Sequence, residues 1–313
     1  MRRIHLSDPA WQTTFPFLVE PGENEWLAGL LLRCDEANHW GSGTTFTHIL
    51  RMNEQAARSN LSLLVASGVR LDSLAQVLAV PMQTLLATTY QEELAHIYDL
   101  SNPSALLLNT SFSFQVCPVC VEEQRILLRS LALQHITCCP QHQVALVDTC
   151  QCGVSLRPFS RQALPFACYK CGLSWAKLPR REAVAECLEQ EQTLLSYYDF
   201  FFTKGTPELL ASALRLIYDS VVEKGEIRVP LRDEAVQFPT DRSMPQRTSS
   251  LGYVVHALLQ LDLSPRDILM YAGPLPWRSV RWTTFQCPAP DCPYVNMLRD
   301  RIYEPDDPGK DKE

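Results

Sequence analysis

No stretch of the 313-residue chain stays apolar for the length that a bilayer-crossing helix needs. The first ten residues are polar and end in Asp8-Pro9-Ala10, without the basic-then-apolar pattern of a secretory leader. The phosphate-cradling loop G-x-x-x-x-G-K-[ST], the zinc helix H-E-x-x-H and the nucleophile elbow G-x-S-x-G are all missing. No reaction is therefore announced by a motif, and a non-enzyme is expected. An excess of positive charge is missing too. Against 28 Lys and Arg stand 35 Asp and Glu, a formal net charge of −7. That balance argues against a stand-alone, avid nucleic-acid binder and leaves room for a local basic face. The acid pairs Glu92-Glu93 and Glu122-Glu123 read as solvated helical faces without a convergent base.

Cysteine, in contrast, is plentiful and ordered. Of twelve cysteines, eight lie between Cys117 and Cys171. Cys117-Pro-Val-Cys120 and Cys139-Pro-Gln-His142 make one set of four ligands. Cys150-Gln-Cys152-Gly153 and Cys168-Tyr-Lys-Cys171-Gly172 make a second. Two close pairs per set is the arrangement that tetrahedral Zn²⁺ takes, and filling all four positions with protein makes such a site structural. Two structural Zn²⁺ ions are expected, in a reducing interior and not in a disulfide framework. Pro118 and Pro140 each follow a cysteine, which suggests two similar knuckle turns in the first set. Cys138 is spare and could substitute in either set, and His135 competes with His142. Cys287 and Cys292 form a third pair without an evident partner, open to Cys34, Cys187 or another subunit.

The rest of the chain reads as mainly α, multi-domain, with helix-turn-helix segments beside small zinc-ribbon or zinc-finger modules. Trp26, Leu27, Leu30, Leu31 and Cys34 fall at helical spacing in a helix expected from about Glu23 to Asn38. Thr47 to Ala57 can form a short helix. Leu71–Leu78, a corner at Ala79-Val80-Pro81, and a helix opened by Pro81 and running through Leu86 resemble a helix-turn-helix. Arg180 to Phe202 and Glu208 to Val222 are helical. Ser264-Pro265-Arg266-Asp267 opens a last helix with a serine cap and a proline in its first turn. The expected divisions are 1–114, 115–178, 179–235, 236–300 and a disordered tail, 301–313.

Local charge departs from the whole. From 121 to 181 eight Lys or Arg face three acids, so this stretch is basic in an acidic chain. Arg157, Arg161, Lys170, Lys177, Arg180 and Arg181, beside Tyr169 and Trp175, are candidate phosphate contacts. Arg266, Arg278 and Arg281 are candidates around the C-terminal helical pair. The helix after Pro81 offers Gln83, Thr84, Thr88 and Thr89 and no Lys or Arg, which favours packing or protein contact over base reading.

Together these motifs resemble the TniQ/TnsD family of transposition accessory proteins, well over about residues 16 to 178. The resemblance rests on Pro21-Gly22-Glu23, Leu27 to Arg33, Glu36-Ala37-Asn38, the helical pair 71–86 and the two Cys/His sets. It implies target-site selection: linking target DNA, or a targeting complex that is RNA-guided in some systems, to an AAA+ ATPase regulator of the transposase. It implies a prokaryotic, cytoplasmic, nucleoid-associated protein, with a homodimer open to it. Trp26, Leu27, Leu30 and Arg33 become candidate ATPase-regulator contacts. A zinc-containing transcriptional regulator that reads DNA directly is the competing expectation.

Overall fold

The computed structural model describes residues 16–52, 69–97, 114–160, 163–224 and 251–271. Among them the regular structure is helical, and extended segments meet only as isolated antiparallel bridges.

The first helix, α1 (Leu27–Ala37), runs through the core. Leu27, Ala28, Leu30, Leu31, Leu32 and Cys34 are all buried, so the helix is apolar almost all round. It starts later than the sequence pattern predicts, because the backbone before it is committed elsewhere. The Trp26 N–H donates to Leu127 O at 2.7 Å, and the Arg129 N–H donates to Asn24 O at 2.7 Å. The Gly22 N–H donates to Glu25 Oε2 at 2.8 Å. Groups paired across the chain cannot also close a helical turn. At the far end the Asn38 amide donates to Cys34 O (2.9 Å) and Phe17 O (3.1 Å), and its oxygen accepts from the Phe17 N–H.

Asp35 is buried and organises the loop beyond α1. It accepts from the Gly43 N–H, the Thr45 N–H and the Thr45 hydroxyl, each at 2.7 Å. Burial pushes its carboxyl up to about 6, against those hydrogen bonds. The chain then forms a π-helical turn, Thr45–Ile49, two residues before the expected helix. The rest of that expected helix, past Met52, lies outside the described residues.

The two helices around a corner are present as α2 (Leu71–Leu78) and α3 (Met82–Leu86), followed by α4 (Gln91–Ala95). Ala79 adopts the left-handed backbone (φ 56°) that glycine takes at less steric cost, which lets its N–H reach the Ala75 and Gln76 carbonyls. Pro81 caps α3 from outside and does not open it. With five residues, α3 is little more than one turn.

Five further helices follow: α5 (Pro118–Glu123), α6 (Ala185–Lys204), α7 (Pro207–Lys224), α8 (Leu251–Gln260) and α9 (Pro265–Met270). The expected start of α6 at Arg180 is too early. Residues 181–183 run extended along 143–145, with the Ala145 N–H donating to Arg181 O and the Ala183 N–H to Gln143 O. The start of α9 is as expected: Ser264 and Asp267 make a reciprocal capping box with Pro265 in the first turn.

Buried residues from Val19 to Ile268 form one hydrophobic cluster. Trp26 stacks on Phe114 at 6.0 Å between ring centroids, Phe114 meets Trp175 at 5.3 Å, and Trp175 meets Phe166 edge-on at 5.9 Å. This aromatic line crosses the division expected at 114/115. Tyr90 and Tyr198 both stack on Phe202, bringing α4 onto α6, and the Tyr197 hydroxyl donates to Leu263 O at 2.6 Å.

Between α6 and α7 the chain passes too close to its neighbours for a side chain. A Cβ on Gly205 would lie 2.2 Å from Phe201 O and 2.7 Å from the Ile97 side chain. Gly205→Ala is expected to cost at least about 2 kcal/mol of unfolding free energy in denaturant titration.

Candidate metal centres

The eight expected ligands converge as two separate clusters. Cys117, Cys120, Cys139 and His142 form the first, and Cys150, Cys152, Cys168 and Cys171 the second. Within each, the ligand atoms all lie within 4.8 Å of one another.

Local backbone builds both. Cys117 caps α5, and Pro118 sits in the first turn of α5, where a missing N–H costs nothing. One helical turn thus carries Cys117 and Cys120, and the Cys120 N–H faces Cys117 Sγ at 3.5 Å. The first half of the first set is therefore a helix start and not the knuckle expected from Pro118. The other three halves are one repeated hairpin. In each, the first cysteine's N–H donates across the hairpin at 2.8 Å: Cys139 to Val144 O, Cys150 to Val154 O, Cys168 to Leu173 O. Antiparallel bridges Cys138–Ala145, Thr149–Ser155 and Ala167–Ser174 flank them. The residue after the second ligand has a left-handed φ in all three: Gln143, Gly153 and Gly172. Its N–H closes the turn on the first ligand's carbonyl. The C-x-C pair is this same hairpin shortened by one residue.

The spacings suit a tetrahedral ion. Cys120 and Cys139 sulfurs are 3.7 Å apart, and both the Cys150–Cys171 and Cys152–Cys168 pairs are 3.6 Å apart. The edge of a zinc–thiolate tetrahedron is about 3.8 Å. His142 Nδ1 stands 3.2 Å from Cys120 and 3.5 Å from both Cys117 and Cys139. Sulfurs this close cannot all be anionic unless a cation sits among them. Hydrogen bonds from Cys120 and Cys139 lower Cys117 to about 3, and the same bonding raises Cys120. In the second cluster burial raises Cys150 to about 12. Burial also acts to raise Cys168, but the N–H groups of Cys171 and Lys170, with the Cys150 and Cys152 thiols, outweigh it and bring Cys168 to about 7. Either cluster could hold a zinc ion, with no protein position left open for chemistry.

Glu123, which the sequence pattern marks only as part of a solvated acid pair, stands beside the first cluster. Its Oε2 lies 3.1 Å from His142 Nε2, which leaves Nδ1 to face the sulfurs. The spacing Cys117-x-x-Cys120-x-x-Glu123 was the available signal, since positions three apart share a helical face. Cys138 belongs to neither cluster. It is buried against Glu191 of α6, whose Oε1 accepts from the Cys138 N–H, the Thr137 N–H and the Thr137 hydroxyl. His135 is outside both clusters as well and stacks on His256 of α8 at 4.2 Å.

Residues 16–146 match the protein-family model described as TniQ. The match supports assignment to the TniQ family. No curated protein matches the chain. The TniQ-matched residues hold α1 to α5 and the whole first centre, and the second centre lies beyond them.

The remaining candidates divide. Arg157, Lys170, Lys177, Arg180, Arg181 and Arg266 are exposed. Arg157 lies over the Tyr169 ring at 4.9 Å, and Arg180 is ion-paired with Glu122. Arg125 and Arg129 carried part of the local charge, but both are paired within the chain, Arg125 at the surface and Arg129 half-buried. Arg125 pairs with Glu36, while Arg129 binds Ala87 O, Thr89 O and Glu93 and lies over Tyr90. Trp26, Leu27 and Leu30 are buried core residues and present no free face. Arg33, half-buried, donates to Glu25 Oε2 at 2.6 Å. Arg161, Arg278, Arg281, Cys287 and Cys292 lie outside the described residues.

The two centres differ in what their loss would undo. Cys117, Cys120 and Cys139 sit in the core, whereas Cys171 is exposed. Cys120→Ala is expected to release one metal equivalent and cost about 3 kcal/mol or more. Cys171→Ala is expected to release one equivalent with a smaller drop in melting temperature. Metal analysis paired with thermal melts checks both. Glu123→Gln, which keeps the helix, is expected to weaken retention at the first centre about tenfold in chelator competition.

Proposed function

We propose that this protein is a transposition accessory protein that selects the target site. In this reading it links a target DNA or targeting complex to an AAA+ ATPase regulator of the transposase. The TniQ match over residues 16–146 carries the proposal. The match supports reading the chain as transposition-associated, and as an adaptor without catalysis of its own. The two clusters hold Zn²⁺ and act structurally: they fix the hairpins on α5 and on the aromatic line through Phe114 and Trp175. Among the described residues no helix is long and apolar enough to cross a membrane.

An adaptor suits the charge distribution. The chain as a whole is acidic, so it gains little from bare DNA, and specificity is left to another component. The exposed Arg157, Lys170, Lys177, Arg181 and Arg266 would add phosphate contacts that hold position without reading sequence. The α2–α3 corner supports packing more than base reading. Its second helix is short, and Arg129 ties the residues just after it to the metal-bearing part of the core. A contact with the ATPase regulator near α1 would involve Arg33 at the surface, with Trp26, Leu27 and Leu30 setting the shape beneath it.

Reconstitution tests the proposal. The full chain should co-migrate with the ATPase regulator and the targeting complex, and insertion at the target should be lost when it is omitted. Tight, salt-dependent binding of the isolated protein to one short duplex, with no dependence on the ATPase, would instead make it a direct DNA-reading regulator.

A further inference from the structure

The two centres are built from similar parts but protected very differently, and that difference has a chemical consequence. Three sulfurs of the first are in the hydrophobic core, and its histidine is held by Glu123. The second has four thiols, one of them, Cys171, exposed and another, Cys152, half-buried. No carboxylate or imidazole joins it among the described residues. The residues that follow its ligand pairs, Gly153 and Gly172, have no atom within 4 Å of where a side chain would begin, so both hairpin tips stand in open space. The exposed Lys170 immediately precedes Cys171, and Arg157 lies over the adjoining Tyr169. Accessible thiolates in a positive setting are the ones that react with peroxides.

From this geometry we infer that the second centre is an oxidation-sensitive site, with Cys171 the thiol that a hydroperoxide attacks first and Cys150 the thiol that resolves it. The Cys171 thiolate attacks one oxygen of hydrogen peroxide. The O–O bond breaks, one proton is taken up, and water leaves as Cys171 becomes a sulfenic acid. Cys150 Sγ, 3.6 Å away, then attacks the Cys171 sulfur. The S–O bond breaks, a second proton is taken up, water leaves, and a Cys150–Cys171 disulfide forms. Two thiolates are oxidised by two electrons, and one peroxide is reduced to two waters. Only Cys152 and Cys168 remain as ligands, too few to hold the metal.

The effect on the fold is confined. The hairpin ending at Cys171 continues into the turn Trp175–Lys177, so oxidation loosens the seat of Trp175 against Phe114 and Phe166. The first centre, with α5 and α1 around it, stays intact. This inference rests on both clusters carrying zinc. Counting zinc in the reduced full chain before any oxidant is added tests that premise separately.

The experiment is stepwise hydrogen peroxide treatment of the reduced, zinc-loaded full chain. A colorimetric chelator reads released metal, and peptide mapping reads disulfides. The expected result is release of one of two zinc equivalents at low peroxide. A Cys150–Cys171 disulfide should appear with the same time course, and a thiol reductant with added zinc should reverse it. A sulfenic-acid trap added to the unmodified chain with the peroxide should label Cys171 ahead of Cys150, Cys152 and Cys168. First labelling at Cys150, Cys152 or Cys168 would overturn the assignment of Cys171 as the attacked thiol. Simultaneous release of both equivalents, first oxidation at Cys117, Cys120 or Cys139, or no release before Met oxidation would each overturn the inference.

Discussion

The structure hangs on four ligand atoms at the start of a six-residue helix. Cys117 and Cys120 come from α5, Cys139 and His142 from the hairpin that follows, and their convergence closes a loop in the centre of the core. A helix this short is not stable by itself. Its apolar content, mainly Val121 and the two buried sulfurs, is modest. A cation shared by these four side chains would convert that weak helix into a fixed point against which α1 and the second hairpin pair can pack. Ile126, Leu127 and Leu128 follow α5 closely and are buried, and Leu127 O receives the Trp26 N–H that positions α1. Only a few covalent steps therefore separate the first cluster from the N-terminal helix.

Much of the charge is paired within the chain, partly at its surface. Arg33–Glu25 ties α1 to the turn before it, while Arg129–Glu93, Arg125–Glu36 and Arg180–Glu122 join segments distant in sequence. Glu25 is the costliest of these acids to place, since burial raises its carboxyl against the attraction of Arg33. Glu191 does similar work at the hairpin of the first centre, binding two backbone N–H groups that would otherwise be left unpaired. What stays exposed and basic is concentrated on the second hairpin pair and the turn after it, where a partner bearing phosphates can reach it.

The two clusters were legible in the sequence because metal geometry leaves few alternatives: the eight candidate ligands and their sorting into two fours were readable from Cys117 to Cys171. The capping box at Ser264 was readable for the same reason, since it is local chemistry. Helix starts at α1 and α6 were not. Each is delayed by backbone pairing with residues that are remote in sequence, which no local pattern reports. The burial of Trp26, Leu27 and Leu30 was hidden likewise. A helical stripe looks the same whether it meets a partner or the core, and α1 is enclosed on nearly every side. Glu123 was missed because an acid on a short helix resembles any solvated charge until His142 is placed beside it.

X-ray absorption at the zinc edge on the reduced full chain addresses the central claim most directly. One Cys₃His and one Cys₄ centre predict a first shell averaging about 3.5 sulfurs near 2.3 Å and about 0.5 nitrogen near 2.0 Å per zinc. A shell with an oxygen ligand, one dominated by nitrogen, or a folded protein that carries no zinc would contradict the account.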